Sequence, residues 1–260
     1  RKPREMNWVI GTLLLILGIL EGFAGYSLPD DLLSGTGLRI AQGIVLAIPL
    51  VGTYAAMFLF GGEFPGNDFL PRLYSIHILL IPGIILALVT VHLIMVFYQK
   101  HTQYPGAGRT ESNVVGYRLY PIYMAKAGGF FFIVFGFTTL VAGLVTINPV
   151  WLYGPYTPSQ VTAGSQPDWY LGILDGAVRI MPNLETVVFG HNISWNLLVP
   201  AVILPGILTT LLVLYPWIEA AATGDRKEHH ILDRPRNVPT RTAFGAGALA
   251  FYLMLWLSGD

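Results

Sequence analysis

Long apolar stretches separated by polar loops set the pattern of this chain. Few ionisable side chains interrupt them: Glu21 in the first stretch, and Arg72, His77 and His92 in the second. A helix needs about 20 consecutive apolar residues to cross a bilayer, and it satisfies its own backbone polar groups. The pattern therefore predicts an all-α membrane protein, a transmembrane helix bundle with five spans at 8–26, 71–98, 127–147, 196–218 and 243–257.

Composition supports this class and excludes others. Hydrophobic residues make up 53% of the 260 residues, charged residues only 12%, and the mean hydropathy is +0.58. Soluble domains carry about 25% charged residues, so a soluble enzyme and a disordered chain are excluded. Lys and Arg number 15, as do Asp and Glu, so we expect a lipid membrane and no nucleic acid as surroundings. The chain has no Cys, which excludes disulfides, iron–sulfur ligation and thiolate zinc sites within it.

A sixth apolar stretch, 40–60, contains Pro49, which breaks a helix in its middle. The excess of Lys and Arg in cytoplasmic loops decides whether this stretch crosses the membrane. If it stays outside, one side of the membrane holds Arg1, Lys2, Arg4, Lys100, Arg109, Arg118, Lys126, Arg226, Lys227, Arg234, Arg236 and Arg241. The other side then holds only Arg39, Arg72 and Arg179. We therefore expect external surface helices at 36–60, bent at Pro49, and a cytoplasmic amino terminus.

The spans and loops divide the chain into three expected regions. Residues 1–147 hold the first three spans and the surface helices, 148–195 form an external loop, and 196–260 form a C-terminal helix pair. The external loops contain Pro, Gly and aromatic residues rather than the pattern of a soluble domain. Long aromatic loops of this kind either build a functional site or form a packed cap over the bundle.

Two histidines in one span are the first candidates for chemistry. His77 and His92 are 15 residues apart, which is about 22 Å along a helix axis, and they point about 60° apart around it. Both rings therefore lean to one side, one near each membrane face. Intramembrane ionisable residues are usually functional, and imidazole is an axial ligand of haem iron. The spacing suits two haems stacked across the bilayer; the alternative is a pair of hydrogen-bonded core histidines.

Glycines in the first span match this spacing. Gly11, Gly18, Gly22 and Gly25 give the span a smooth face, and Gly11 and Gly25 are 14 residues apart. Small residues commonly allow close packing of two helices. Two flat macrocycles at matching heights explain the same glycines, so both interpretations stay open.

Four motifs follow one another in a specific order. They are Gly25-Tyr26-Ser27-Leu28-Pro29, Ala47-Ile48-Pro49, the span with Arg72, His77 and His92, and the external run Pro167-Asp168-Trp169-Tyr170. Together they resemble cytochrome b of the quinol–cytochrome c oxidoreductases, from the third to the seventh transmembrane helix of that family. The resemblance covers essentially the whole chain.

The resemblance implies two haems b with iron ligands in this chain. His77 would ligate the low-potential haem near the outer face, and His92 the high-potential haem near the inner face. Gly11 and Gly25 would make room for the macrocycles. Arg72 would pair with a haem propionate or anchor the helix at the interface. The other axial ligands lie on the family's second helix, so the first two helices would come from the same or another chain.

The external loop would form a quinol-oxidation site. By resemblance, Asp168 is the carboxylate that accepts a proton from quinol, with Asp175 nearby. The family often has Glu here, and Asp is one methylene shorter. The pocket would be lined further by Pro167, Tyr26, Tyr170 and Gly37, the last leaving room for the quinone ring.

The inner loops hold candidates for a quinone-reduction site, because such a site needs proton donors. These candidates are Lys100, His101, His229 and His230. Solvated basic loops that fix the orientation of the bundle are the alternative interpretation. The histidine that the family usually has after the inner ligand aligns with Phe97 here. Glu21 would be a pocket proton carrier or an interfacial residue.

The run from Glu228 to Pro235 resembles the actinobacterial branch of the family. That branch implies menaquinol as donor, a Rieske iron–sulfur subunit, a cytochrome c subunit and association with a terminal oxidase in a supercomplex of the bacterial plasma membrane. Two other functions fit the bare pattern. A dihaem membrane anchor of a dehydrogenase would share the histidines without the external run, and a haem-free proton-coupled transporter would use intramembrane His and Glu.

Overall fold

A computed structural model describes residues 2–62, 64–113, 115–145, 150–160 and 168–259. The helices are α1 Glu5–Tyr26, α2 Leu32–Leu46, α3 Gly52–Phe60, α4 Phe69–Gln99, α5 Leu119–Leu144, α6 Val150–Tyr153, α7 Gly172–Ile180, α8 Trp195–Thr223 and α9 Pro239–Leu257. A short hairpin of β1 Glu185–Val188 and β2 His191–Ser194 lies between α7 and α8. The predicted all-α transmembrane bundle is confirmed, with this hairpin as an addition that the sequence pattern did not predict.

Four helices, α1, α4, α5 and α8, are long and apolar enough to cross a membrane. They correspond to the first four predicted spans. The ends differ by five residues or fewer, except that α5 begins at Leu119, eight residues before the predicted start at 127. The fifth predicted span, 243–257, is helical within α9, but it is not among these four. Its first half consists largely of Gly and Ala, and its crossing stays a prediction.

The ambiguous stretch forms two helices, α2 and α3, with an interruption at 47–51 around Pro49. The predicted bend at this proline is confirmed. The side chain of Asp31 caps α2 by accepting a hydrogen bond of 2.6 Å from the N–H of Ser34. Neither helix is long enough to span a bilayer, since α2 has 15 residues and α3 has 9.

Prolines widen two of the long helices locally. In α4, the residues Ile76–Leu80 form a wider helical turn just before Pro82, and in α8 the same happens at Val199–Ile203 before Pro205. Proline has no N–H to donate, and its ring pushes away the carbonyl one turn earlier, so the helix takes up an extra residue there. His77 lies in the first of these turns.

Helix α1 is central because it packs against both α4 and α8. On the α8 side, Nε1 of Trp8 donates a hydrogen bond of 2.7 Å to the carbonyl of Leu212, and its ring lies against Tyr215. At the other end of α1, a buried apolar cluster joins α1 to α2, α3 and the start of α4; its members are Ala24, Leu38, Ala56, Phe60, Phe69 and Leu73. No residue of α5 is buried, which suits a helix that faces lipid.

One arginine forms hydrogen bonds to two loops at the opposite end of the bundle. Arg4 donates hydrogen bonds to the carbonyl of Lys100 at 2.9 Å and to that of His229 at 2.6 Å. The N–H of Gln103 donates to the carbonyl of His230 at 2.8 Å. The amino-terminal segment and the loops after α4 and α8 therefore meet at one end, the arrangement that the charge distribution predicts.

Candidate functional site

Helix α1 presents its glycines to the two histidines of α4. A Cβ built on Gly25 would lie 2.5 Å from Cε1 of His77, and one built on Gly11 would lie 3.6 Å from Cε1 of His92. The rings therefore sit on the same face of α1 at two heights, and only a glycine fits beside His77. Gly11 and Gly25 thus lie at the heights of the two histidines, as their spacing predicts, whereas Gly18 has nothing within 4 Å.

The two imidazoles differ in their polar surroundings. Nδ1 of His77 lies 2.9 Å from Oε1 of Glu21, an ion-pair distance, although the approach lacks the angle of a hydrogen bond. Nδ1 of His92 is buried without a hydrogen-bond partner in the part of the chain that the structure describes. Both side chains are partly buried in a span, where a polar atom without a partner is costly.

These surroundings fit haem b better than a multi-ligand metal site. No group of three or more His, Cys, Asp or Glu that could hold a metal ion occurs among the described residues. Each histidine instead places one imidazole beside a glycine of α1, where no side chain projects. A haem ligand next to a flat macrocycle needs such an open surface. His77 and His92 are the residues that would each supply one ligand to such a group.

Five residues form what we call the outer cluster, near the end of α1: Gly22, Tyr26, Gly37, Asp168 and Tyr170. A Cβ on Gly22 would lie 2.9 Å from the Tyr170 hydroxyl, and one on Gly37 would lie 3.0 Å from Cε1 of Tyr26. The Tyr26 hydroxyl donates to the carbonyl of Leu33 at 3.1 Å. Asp168 is close enough to both tyrosines to interact with them electrostatically. Four predicted quinol-site residues are thus brought together.

The carboxylate and the phenol of this cluster are directly bonded. The Tyr170 hydroxyl donates a hydrogen bond of 2.7 Å to Oδ2 of Asp168. Burial raises the pKa of Tyr170, and the bond to Asp168 raises it further, so the phenol stays protonated as a donor. Gly22 lies one residue after Glu21, which approaches His77, so the outer cluster and the outer histidine share one turn of α1.

The two other predicted members of the quinol site are Asp175 and Pro167. Asp175 forms an ion pair of 2.7 Å with Arg179 four residues later on α7. Pro167 lies outside the described residues. Arg72 donates to the carbonyl of Phe58 at 3.0 Å and lies 3.5 Å from Asp68, which suits an interfacial anchor.

Of the four candidates for an inner quinone site, two contact other side chains and two are exposed. His230 is 7% exposed, and its Nδ1 lies 2.9 Å from a nitrogen of Arg4, which can only donate, so this Nδ1 accepts. Nε2 of His229 lies 2.9 Å from Oδ2 of Asp225. Lys100 and His101 are exposed.

A carboxylate that the sequence analysis missed completes this inner arrangement. Oε2 of Glu111 accepts hydrogen bonds from the N–H groups of His230 and, at 3.0 Å, Ile231. The N–H of His230, and next that of Ile231, hold the pKa of Glu111 below its usual range. Glu111 is 119 residues from His230 in the chain, and no local pattern links them.

Comparisons with known proteins identify the family of the chain. The family described as "Cytochrome b(N-terminal)/b6/petB" matches residues 1–155. The cytochrome bc1 complex cytochrome b subunit of Streptomyces coelicolor is 58% identical over 259 residues, covering 100% of this chain and 47% of the relative. The subunit of the same name from Mycobacterium tuberculosis H37Rv is 55% identical, covering 99% of this chain and 47% of the relative.

A solved structure shows the same fold at greater distance. It is named "Hyperthermophilic respiratory Complex III", and it superposes with a TM-score of 0.65 at 21% identity, over 100% of this chain and 71% of that one. The chain spans about half the length of the curated relatives it matches. The family decides against a haem-free transporter and implies haem b. The resemblance inferred from the motifs is confirmed, and the chain belongs to the cytochrome b N-terminal family.

Proposed function

We propose that this chain forms the haem-carrying and quinol-oxidising part of a menaquinol–cytochrome c oxidoreductase. The observation that supports it most is the shared turn of α1, where Gly25 and Glu21 meet His77 and Gly22 meets Tyr170. Quinol oxidation requires an electron acceptor close to a proton acceptor. That turn offers a candidate haem ligand and a carboxylate–phenol pair side by side.

His77 and His92 are the residues that would hold two haems b. When bound, the haems supply electron transfer between the two faces of the membrane, which is the basis of a Q cycle. The chain's own contribution is to orient each imidazole and to exclude side chains from the adjacent surface of α1 at Gly25 and Gly11. The apolar span around each ring keeps water away.

Asp168 is the proposed proton acceptor for quinol. A quinol loses two electrons and two protons as it becomes a quinone, and it gives up electrons readily only as protons leave. Tyr170 occupies Oδ2 of Asp168, which leaves the other carboxylate oxygen to accept a proton from a quinol hydroxyl. Tyr26 and Gly37 would line the ring pocket, and Asp175, held by Arg179, would serve only after rearrangement.

The wider assembly follows from the same proposal. The relatives are named as subunits of a cytochrome bc1 complex, so the partners would be a Rieske iron–sulfur subunit and a cytochrome c subunit, with a terminal oxidase in a supercomplex. We place the protein in the bacterial plasma membrane as a multi-pass protein with a cytoplasmic amino terminus. The inner quinone site would use Lys100 and His101, since His229 and His230 are held by Asp225 and Arg4.

The test is menaquinol-dependent cytochrome c reduction by the complete complex, with Asp168→Asn as the variant. Asn keeps the shape and the bond from Tyr170 but cannot accept a proton. Turnover should fall roughly 10²-fold or more, with both haem spectra intact. Asp68→Asn is the matched control, because Asp68 is exposed and contacts Arg72 instead. Near-normal turnover in Asp168→Asn would contradict the assignment, and equal activity with ubiquinol would contradict menaquinol as the specific donor.

A further inference from the structure

Glu21 is a carboxylate inside a membrane span, and the proposed proton chemistry at Asp168 does not use it. Its side chain is 22% exposed, and its Oε1 lies 2.9 Å from Nδ1 of His77. Its other oxygen, Oε2, is buried and has no hydrogen-bond partner among the described residues. A carboxylate at such a depth is costly unless it is functional or paired. Its single polar neighbour in the described chain is the histidine proposed to bind iron.

We propose that Glu21 is a positioning residue that accepts the Nδ1–H of His77 and lowers the redox potential of the outer haem. This inference rests on the proposed function, because it takes His77 as an axial ligand. The Cε1–Nε2 side of the ring faces Gly25, where a built Cβ would lie 2.5 Å from Cε1 and 2.9 Å from Nε2, and Nδ1 lies near Glu21, one helical turn earlier on α1. A small rotation of the imidazole turns the 2.9 Å approach into a hydrogen bond. With the proton held on Nδ1, Nε2 carries the lone pair that a metal requires.

The expected effect on the haem follows from charge. A carboxylate bonded to the far nitrogen of an imidazole ligand raises the basicity of that ligand. A more basic ligand and a nearby negative charge both favour the more positive, oxidised iron over the reduced iron. The potential of the outer haem therefore falls.

The inner histidine provides an internal comparison. Nδ1 of His92 is buried without a hydrogen-bond partner in the described chain, and Gly11 is its neighbour on α1. His92 lies about 22 Å from His77 along α4, too far for Glu21 to act on it strongly. The two sites are thus built alike in their glycines and differently in their charge. A lower potential outside than inside drives electrons inward.

The experiment is a redox titration of the complete purified complex, followed by the optical spectra of both haems. Three proteins are compared: wild type, Glu21→Gln, and Glu21→Ser as a smaller uncharged variant. Gln still offers an oxygen to Nδ1–H but carries no charge. The midpoint potential of the outer haem should rise in both variants, while that of the inner haem stays unchanged. A purely structural role for Glu21 would not move one potential selectively.

The outcomes separate the two proposals. Wild-type complex without two b-type spectra would defeat the proposed function itself. Two haems with unchanged potentials in both variants would leave that function standing and overturn the role of Glu21. The role of Glu21 would also be overturned if Glu21→Gln lost the outer haem or if both variants lost both haems, because Glu21 would then serve folding. Slower quinol oxidation with unchanged potentials would overturn it as well, because Glu21 would then serve quinol chemistry.

Discussion

Replacing Gly25 with alanine should weaken the outer haem site selectively. The added methyl carbon would lie 2.5 Å from Cε1 of His77, whereas carbon atoms in contact prefer about 3.5–4.0 Å. The imidazole must therefore retreat by about 1 Å, and metal–ligand distances tolerate only about 0.2 Å. Overpacking of this kind costs roughly 1–3 kcal/mol, which corresponds to about 5- to 150-fold weaker retention of the cofactor.

The assay is the haem content of the purified complex, measured as the two b-type components of the reduced-minus-oxidised spectrum. Gly18→Ala is the matched control, because Gly18 lies on the same helix, and a Cβ there would meet nothing within 4 Å. We expect loss of the outer component in Gly25→Ala and an unchanged spectrum in Gly18→Ala. Full outer-haem content in Gly25→Ala, with its normal potential, would refute the claim that the glycine makes room beside this ligand.

Two further predictions concern the loops. Glu111→Gln should lower the melting temperature at pH 7, because folding depresses the pKa of this carboxyl and its charge therefore stabilises the folded state at neutral pH. This stabilisation is lost as the pH falls below 4.5, the ordinary pKa of the group, so the difference in melting temperature from wild type should shrink in acid. A difference that stays constant with pH would contradict this prediction. Cysteines at Leu50, which is 86% exposed, and at the exposed Asn67 should both react with an impermeant reagent from outside, and one at His101 only from inside. If 40–60 crossed the membrane, Leu50 would lie within it and Asn67 on the inner side, so neither cysteine would react from outside.

Hydrophobic periodicity and residue spacing predicted most of the helices and the relative positions of the histidines, because both depend on local backbone geometry. The break at Pro49 follows from a missing N–H, and the shared face of His77 and His92 follows from 15 steps of a helix. The similar spacing of the glycines and the histidines, 14 and 15 residues, also indicated that they lie at matching heights. These features need no knowledge of distant neighbours.

The features that the sequence analysis missed depend on contacts between distant segments. Glu21 and His77 are 56 positions apart, and Arg4 meets His230 across 226. A charged residue such as Glu21 in an apolar stretch indicates a functional site, but the sequence does not show which residue it contacts. The hairpin was not predicted for another reason. Its turn places Phe189 at a φ of 50°, where Gly or Asn is usual, so the sequence lacks the common signal of a hairpin turn.

A redox-resolved difference spectrum of the complete complex carrying His77→Leu or His92→Leu would show whether these histidines hold the two haems. We expect two b-type components in the wild type, loss of only the low-potential component in His77→Leu, and loss of only the high-potential component in His92→Leu. Retention of both components in either variant would contradict the assignment of that histidine as an iron ligand.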